Sequence, residues 1–236
     1  EKYIVTPDQG MFDRLYEVSG QSIKLVDIAP EVEGSYDFIR HASKRCVVSI
    51  AHTCANYDQA KEAFAAGASH VTHLFNAMPA FGHRDPGVVG AASDDAAHVE
   101  MISDGIHLHP AVVRSVFKWF GDDRVCLISD AMRAVGMPNG VYSLGGQTVY
   151  MTDGKATLES GVIAGSATSL AECFRRAVSF DVPLESALKA ATINPAKAVG
   201  LFDEVGSITE GKRADVLVLD ETLHPEHIFI GGVKTK

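Results

Sequence analysis

The sequence predicts an α/β protein in which parallel strands alternate with helices, and three observations carry that prediction. Short β-branched runs recur from Lys24 onward, stretches of helical period separate them, and the runs are apolar nearly throughout, as strands covered on both faces must be. Five strand, loop, helix units of this kind fit either a doubly wound sheet or a large part of a (β/α)8 barrel. With 236 residues, 46% of them hydrophobic and 22% charged, the chain is long enough for one large domain, or one and a fraction, around a sizeable core.

In chain order, the expected strands are 23–29, 46–51, 70–75, 98–103 and 125–129. Between them, 57–66 and 110–120 space apolar residues at three and four, and Gly67 and Gly121 stand where a helix stops. The segment 76–87 is rich in glycine and proline and reads as a shaped, functional loop. After Asp130 the character changes. Three short runs, 141–144, 148–151 and 156–158, are separated by Gly145-Gly146 and Asp153-Gly154, which describes a small antiparallel excursion. Helical period returns over 169–180 and 184–198, and the end, 214–220 and 227–232, reads as two strands and a turn, too short to be stable alone. The organisation that follows is barrel strand/helix units over 1–135, a β excursion over 136–165, barrel-associated helices over 166–202 and a terminal β segment over 203–236.

Lys and Arg total 21 against 30 Asp and Glu, a formal charge of −9, which argues against a nucleic-acid partner held by phosphate neutralisation. No apolar run approaches the roughly 18 residues that span a bilayer. The start, Glu1-Lys2-Tyr3-Ile4, lacks the layout of a signal peptide, so a soluble, cytoplasmic protein with no membrane partner is expected. Cys46, Cys54, Cys126 and Cys173 are scattered without a CxxC, and no disulfide framework is expected.

The informative polar residues stand at strand ends. His52 closes the second expected strand, His73 lies near the end of the third, and Asp130 closes the last. In a parallel barrel such ends meet at one rim, where barrel active sites sit. Neutral imidazoles suit a borderline-soft dication, and a nearby carboxylate can take a proton from bound water. Singly, a strand-end histidine is more often a hydrogen-bonded structural residue; the three together favour a metal site. His107 and His109 form an HxH pair with a poorer claim to a metal than the strand ends, Cys54 is expected to point elsewhere, and the other histidines lack a comparable setting. Arg84, in the 76–87 loop, is a candidate clamp for carboxylate or phosphate, although solvated arginines are commoner.

The strings themselves are specific. Ala51-His52-Thr53, then Val71-Thr72-His73-Leu74-Phe75-Asn76-Ala77-Met78-Pro79 with Arg84-Asp85-Pro86-Gly87, then Ser103-Asp104-Gly105-Ile106-His107, and Leu127-Ile128-Ser129-Asp130-Ala131 closely resemble the N-acetylglucosamine-6-phosphate deacetylase family. Order and spacing match as well, with 73 − 52 = 21 between the two histidines. Gly165-Ser166 before a helix, Ala191-Thr192-Ile193-Asn194-Pro195-Ala196, and Gly206-Ser207-Ile208 with Gly211-Lys212-Arg213-Ala214-Asp215 look like the tail of the wider amidohydrolase superfamily. The resemblance covers essentially the whole chain.

It implies a partial (β/α)8, TIM-like barrel of the metal-dependent hydrolase type with a small β-sandwich segment, of which 203–236 is the C-terminal part. It also implies one or two divalent metal ions, zinc foremost and iron the alternative, and a homodimer. His52 and His73 match the metal-binding histidines and Asp130 the acid/base aspartate. The backbone around Asn76 and Ala77, with Arg84 and His107, matches the positions that hold the sugar phosphate, Arg84 and His107 reaching into the neighbouring subunit's site. The implied reaction is hydrolysis of the acetamide of N-acetylglucosamine 6-phosphate, a small amino-sugar phosphate, to glucosamine 6-phosphate and acetate in amino-sugar catabolism.

The N-terminus departs from the family pattern. Family members start with sandwich strands, a barrel strand with an HxH-like motif, and a strand ending in Leu-Glu-Gly-Pro whose glutamate binds metal; none of these precedes Tyr3-Ile4-Val5-Thr6-Pro7-Asp8, which resembles the segment just after that glutamate. Glu31 ends a later strand and is not taken as a ligand. Five of eight strands cannot close a barrel, so a fragment with weak metal affinity is expected. Two competing readings are another amidohydrolase acting on a cyclic amide or a base, and a non-catalytic, truncated barrel remnant.

Overall fold

In the computed structural model, which describes residues 5–235, the chain runs α1 (Gln9–Val18), β1 (Leu25–Ile28), α2 (Ser35–Ala42), β2 (Val47–Ile50), α3 (Tyr57–Ala66), β3 (His70–Val71), α4 (Gly87–Ser93), β4 (His98–Met101), α5 (Pro110–Phe120) and β5 (Val125–Leu127). It continues through β6 (Gly140–Leu144), β7 (Gln147–Thr152), β8 (Lys155–Leu158), α6 (Leu170–Ser179), α7 (Leu184–Ala191), α8 (Ile193–Ala198), β9 (Val216–Leu219), β10 (Pro225–Ile230) and β11 (Val233–Lys234). The string beginning at Tyr3 falls partly outside the described residues. The chain divides into two compact units, one running up to Glu100 and including Ala196–Leu201, the other Met101–Pro195 with the chain from Phe202 onward.

In the first unit β1 pairs parallel with β2, from Leu25 beside Val47 to Ile28 beside Ile50. β2 pairs with β3 (Ser49 beside His70) and β3 with β4 (His70 beside His98), again parallel. Parallel neighbours need a crossover, and helices supply it. α2 buries Phe38, Ile39 and Ala42, α3 buries Ala60, Ala63 and Phe64, and Val48, Ile50, Val71 and Val99 of the strands are fully buried. The start of α3 is fixed by its sequence: the Asn56 side chain accepts from the Gln59 N–H while the Gln59 side chain accepts from the Asn56 N–H. α1 starts behind Asp8, whose carboxylate accepts from the Met11 N–H.

α1, α2 and α4 have no counterpart in the sequence reading. α1 buries Phe12 alone and α4 (GVVGAAS) buries six of its residues, so neither shows a full alternation of apolar and polar faces, whereas α2 buries Ser35, Phe38, Ile39 and Ala42 at spacings of three and four but over only 8 residues. β3 is shorter than expected, because the chain leaves the strand after Val71.

In the second unit the Ile128 N–H, just past β5, donates to the Met101 carbonyl at 3.1 Å. β6, β7 and β8 form an antiparallel meander around Met132, Ala134, Val149, Met151, Ala156 and Ala164. The turn between β6 and β7 places Gly145 and Gly146 at φ 56° and 81°, the doubly left-handed conformation that a two-residue hairpin requires. β9, β10 and β11 form a second antiparallel sheet in the order β11-β10-β9. The single helix expected over 184–198 is two, broken at Thr192 (φ −134°). There the buried Asn194 amide donates to the carbonyls of Asp122 at 2.7 Å and Val125 at 2.8 Å, tying the break to the entry of β5. All four cysteines are free thiols. No helix among the described residues is long and apolar enough to cross a membrane.

Candidate functional site

Beyond the ends of β2 and β3 the backbone enters the left-handed region at the two histidines, His52 at φ 45° and His73 at φ 35°. A residue with a side chain resists that conformation by roughly 1–3 kcal/mol, and it persists only where neighbouring contacts over-determine it. The turns bring the two rings together edge to face, centroids 4.6 Å apart, with their Nε2 atoms 3.0 Å from each other. At that separation one imidazole can donate to the other, or both lone pairs can face one cation. His73 is buried, and its Nδ1 has no hydrogen-bond partner among the described residues.

The contacts that hold these turns come from residues to which the sequence gives no such role. Thr53, 2% exposed, donates its hydroxyl to Glu31, whose other oxygen accepts from the Cys54 N–H at 2.6 Å. The same hydroxyl accepts from the Ala55 N–H at 2.9 Å, and the Thr53 N–H donates to the Ala77 carbonyl at 3.0 Å. Glu31 therefore grips the turn that carries His52. The signal available in the sequence was a carboxylate just past the end of β1 with a threonine beside the histidine.

Asn76 spends its side-chain amide on the same region, donating to the carbonyls of His73 at 3.1 Å and Leu74 at 3.2 Å. Phe75 and Ala77 are left-handed at φ 74° and 49°. Arg84 lies on the following loop, exposed and without an ion-pair partner among the described residues.

The donor chemistry of His52 and His73 fits a borderline-soft divalent cation. Among the described residues, no group of three or more His, Cys, Asp or Glu side chains gathers to hold one, so the pair would offer such a cation two nitrogen donors.

In the second unit Asp130 follows β5 and is the third strand-end candidate in the left-handed region, at φ 48°. Its carbonyl accepts from the Ser166 N–H at 2.9 Å, and the Met132 N–H returns a bond to Ser166 O at 2.9 Å, which leaves the carboxylate of the exposed Asp130 outside the turn's own bonding. His107 is held by Asp104 through a contact of 2.8 Å from Nδ1 to Oδ2. Burial opposes ionisation of Asp104, but the bonds from the His107 ring and from the backbone N–H groups of His107 and Ile106 outweigh it and hold the carboxyl below its usual range. His109, the other half of the HxH pair, is the N-cap of α5, its Nδ1 accepting from the Ala111 N–H at 3.2 Å.

Known proteins resemble this chain in sequence and fold. The amidohydrolase family pattern matches residues 25–235. An N-acetylgalactosamine-6-phosphate deacetylase of Escherichia coli O157:H7 is 40% identical over 223 residues, 93% of this chain and 59% of that protein. An N-acetylglucosamine-6-phosphate deacetylase of Bacillus subtilis is 38% identical over 222 residues, 93% of this chain and 56% of that protein. A mutant N-acetyl-D-glucosamine-6-phosphate deacetylase of Mycobacterium smegmatis, solved in complex with N-acetyl-D-glucosamine-6-phosphate, superposes with a TM-score of 0.92 at 37% identity, covering 97% of this chain and 61% of that one. The chain thus spans less than two thirds of the length of each relative. With the family pattern running from β1 through the turns of His52, His73, His107 and Asp130 into the last sheet, the chain belongs to the amidohydrolase family.

Proposed function

We propose that the protein carrying this chain is a metal-dependent hydrolase that cleaves the acetamide of N-acetylglucosamine 6-phosphate, giving glucosamine 6-phosphate and acetate. The observation that carries this reading is the pair of imidazole Nε2 atoms 3.0 Å apart on left-handed strand ends. It occurs in a chain about 38% identical to proteins named for this reaction. His52 and His73 would hold a divalent cation, zinc foremost as the family resemblance implies and iron the alternative, since imidazole nitrogen suits either. Such a cation supplies a Lewis acid and makes the attacking water more acidic.

Asp130 takes the proton of that water and returns it to the departing amine. The backbone of Asn76 and Ala77, with Arg84 and His107, binds the phosphate, so binding energy far from the reacting carbon orients the acetamide. In this reading the protein is a cytoplasmic homodimer in which Arg84 and His107 serve the neighbouring subunit. Residues 1–135 and 166–202 are barrel, 136–165 the β excursion, and 203–236 part of a small β-sandwich.

The test is acetate release from N-acetylglucosamine 6-phosphate by the full-length protein, with metal content measured on the same sample. Turnover that disappears on chelation and returns with zinc is expected. A metal-loaded protein that releases no acetate would refute the reading.

A further inference from the structure

β1 and the chain just beyond it carry two carboxylates, Asp27 and Glu31, and each takes the hydroxyl of a threonine that adjoins one of the paired histidines. Glu31 takes that of Thr53, beside His52. Asp27 takes that of Thr72, beside His73, with Oγ1 to Oδ1 at 2.8 Å. This second link crosses β2. Ser49 lies in register with Asp27 on one side and with His70 on the other, and Thr72 follows His70 by two residues, so all four stand on one face of the sheet. The Ser49 hydroxyl is 2.7 Å from Thr72 Oγ1. The backbone is fastened on either side of His73: the Thr72 N–H donates to the Ile50 carbonyl at 3.0 Å and the Leu74 N–H to the Glu100 carbonyl at 2.8 Å. Between those two bonds His73 takes its φ of 35°.

The order of protons along this link follows from the groups themselves. An ionised carboxylate accepts and cannot donate, so Thr72 donates to Asp27. That spends the one hydroxyl proton of Thr72, and the fully buried Ser49 donates to Thr72 Oγ1 in turn. Without the carboxylate, the Thr72 proton turns to Ser49 or to water, and β1 lets go of the residue before His73. We propose that Asp27 is a positioning residue for His73: through the Thr72 hydroxyl it fixes where β3 gives way to the turn, and so where His73 Nε2 stands beside His52 Nε2. This rests on the reading of His52 and His73 as cation ligands made above.

Asp27→Ala removes the acceptor, whereas Asp27→Asn keeps an oxygen for Thr72 and removes the charge. Thr72→Val removes the hydroxyl and keeps the β-branched shape. These variants, the double variant D27A/T72V and His73→Gln are compared with wild type in the full-length protein. Zinc affinity is read by competition against a chelator, and urea unfolding of the metal-free form is read alongside. Groups that orient metal ligands typically change affinity by about 10–100-fold when removed, so D27A and T72V are each expected to lose about tenfold. D27N is expected to stay within about threefold of wild type, because position and not charge is what Asp27 supplies. Adding D27A to T72V is expected to cost less than about twofold more, as two changes to one link are not additive.

If His73→Gln keeps the zinc affinity of wild type, the reading of His73 as a ligand has failed, and the role of Asp27 with it. If His73→Gln loses zinc and D27A does not, only the role of Asp27 is overturned; lower stability in urea at unchanged affinity is that outcome, since the link is then structural. An equal loss in D27N and D27A assigns the effect to charge and overturns positioning. A D27A loss undiminished in the T72V background shows a route other than Thr72 and overturns it too. Should D27A fail to fold, T72V against Thr72→Ser, which keeps the hydroxyl, makes the same comparison, and equal zinc affinities there overturn the proposal.

Discussion

Thr53→Val removes one hydroxyl and tests whether the turn carrying His52 is held as described. Valine has the shape and β-branching of threonine, so the burial of residue 53 and its backbone preference are preserved. Two bonds are lost: the hydroxyl donated to Glu31, and the hydroxyl's acceptance from the Ala55 N–H. The first is a bond to an ionised acceptor, worth about 1.5–3 kcal/mol where buried, but Glu31 is exposed and water replaces most of it. The second strands an N–H at a fully buried residue, at a cost of about 1–3 kcal/mol. A net loss of roughly 2–3 kcal/mol in urea unfolding follows. Thr53→Ser keeps both bonds and gives up one methyl, about 1 kcal/mol.

In the proposed metal site the functional consequence comes through His52. Its left-handed backbone is held by this clamp, and groups that orient metal ligands typically change affinity by about 10–100-fold when removed. Competition of the full-length protein against a chelator should therefore show zinc affinity reduced at least about tenfold in T53V and within about threefold of wild type in T53S. Equal behaviour of the two variants, in stability and in affinity, would refute the clamp.

Three further outcomes are expected. His73→Gln removes a nitrogen whose partner is His52 Nε2, and bound metal should fall to background with turnover down by at least about a hundredfold, read by elemental analysis and acetate release. Asp104, whose pKa is depressed in the folded state, stabilises the fold above its unfolded pKa of about 3.9 and loses that contribution as pH falls below it toward the folded value; unfolding of wild type against D104N should show the difference shrinking below about pH 4. Burial, aided by the charge of Asp104, pushes the Cys173 thiol up to about 12, so at pH 8 iodoacetamide should leave it unmodified while the exposed Cys54 is alkylated, as mass spectrometry of peptides would report.

The parallel β/α alternation was legible because buried strands and amphipathic helices leave periodic marks. The helices over 57–66 and 110–120 appear at those limits as α3 and α5, and the glycine pair at 145–146 makes the hairpin turn it suggests. Part of what escaped had no periodic mark, and α2 carries one over only 8 residues. α4 is small and buried on every side, so nothing polar sets its phase. Glu31 and Thr53 act through hydrogen bonds between turns 22 residues apart, a separation that composition cannot reveal. The string around Asp104 gives that residue no role, because its use depends on the ring of His107 folding back onto it.

Strand boundaries were the least accurate part of the sequence reading, and the candidate catalytic residues stand there. The runs 70–75 and 125–129 are apolar enough to extend a strand, yet β3 stops at Val71 and β5 at Leu127. A histidine kept in an extended strand alternates between faces with its neighbours; one in a left-handed turn is released from that alternation and can be aimed independently. His52, His73 and Asp130 all take this conformation, and each sits in a turn fastened by backbone N–H and carbonyl groups of another segment of its own unit. Local preference argues for continuing the strand, and the hydrogen bonds of Thr53, Asn76 and Ser166 argue for ending it. The structure resolves that conflict in favour of the turns at all three residues, which is the pattern expected where a fold gives up local consistency to aim reactive groups.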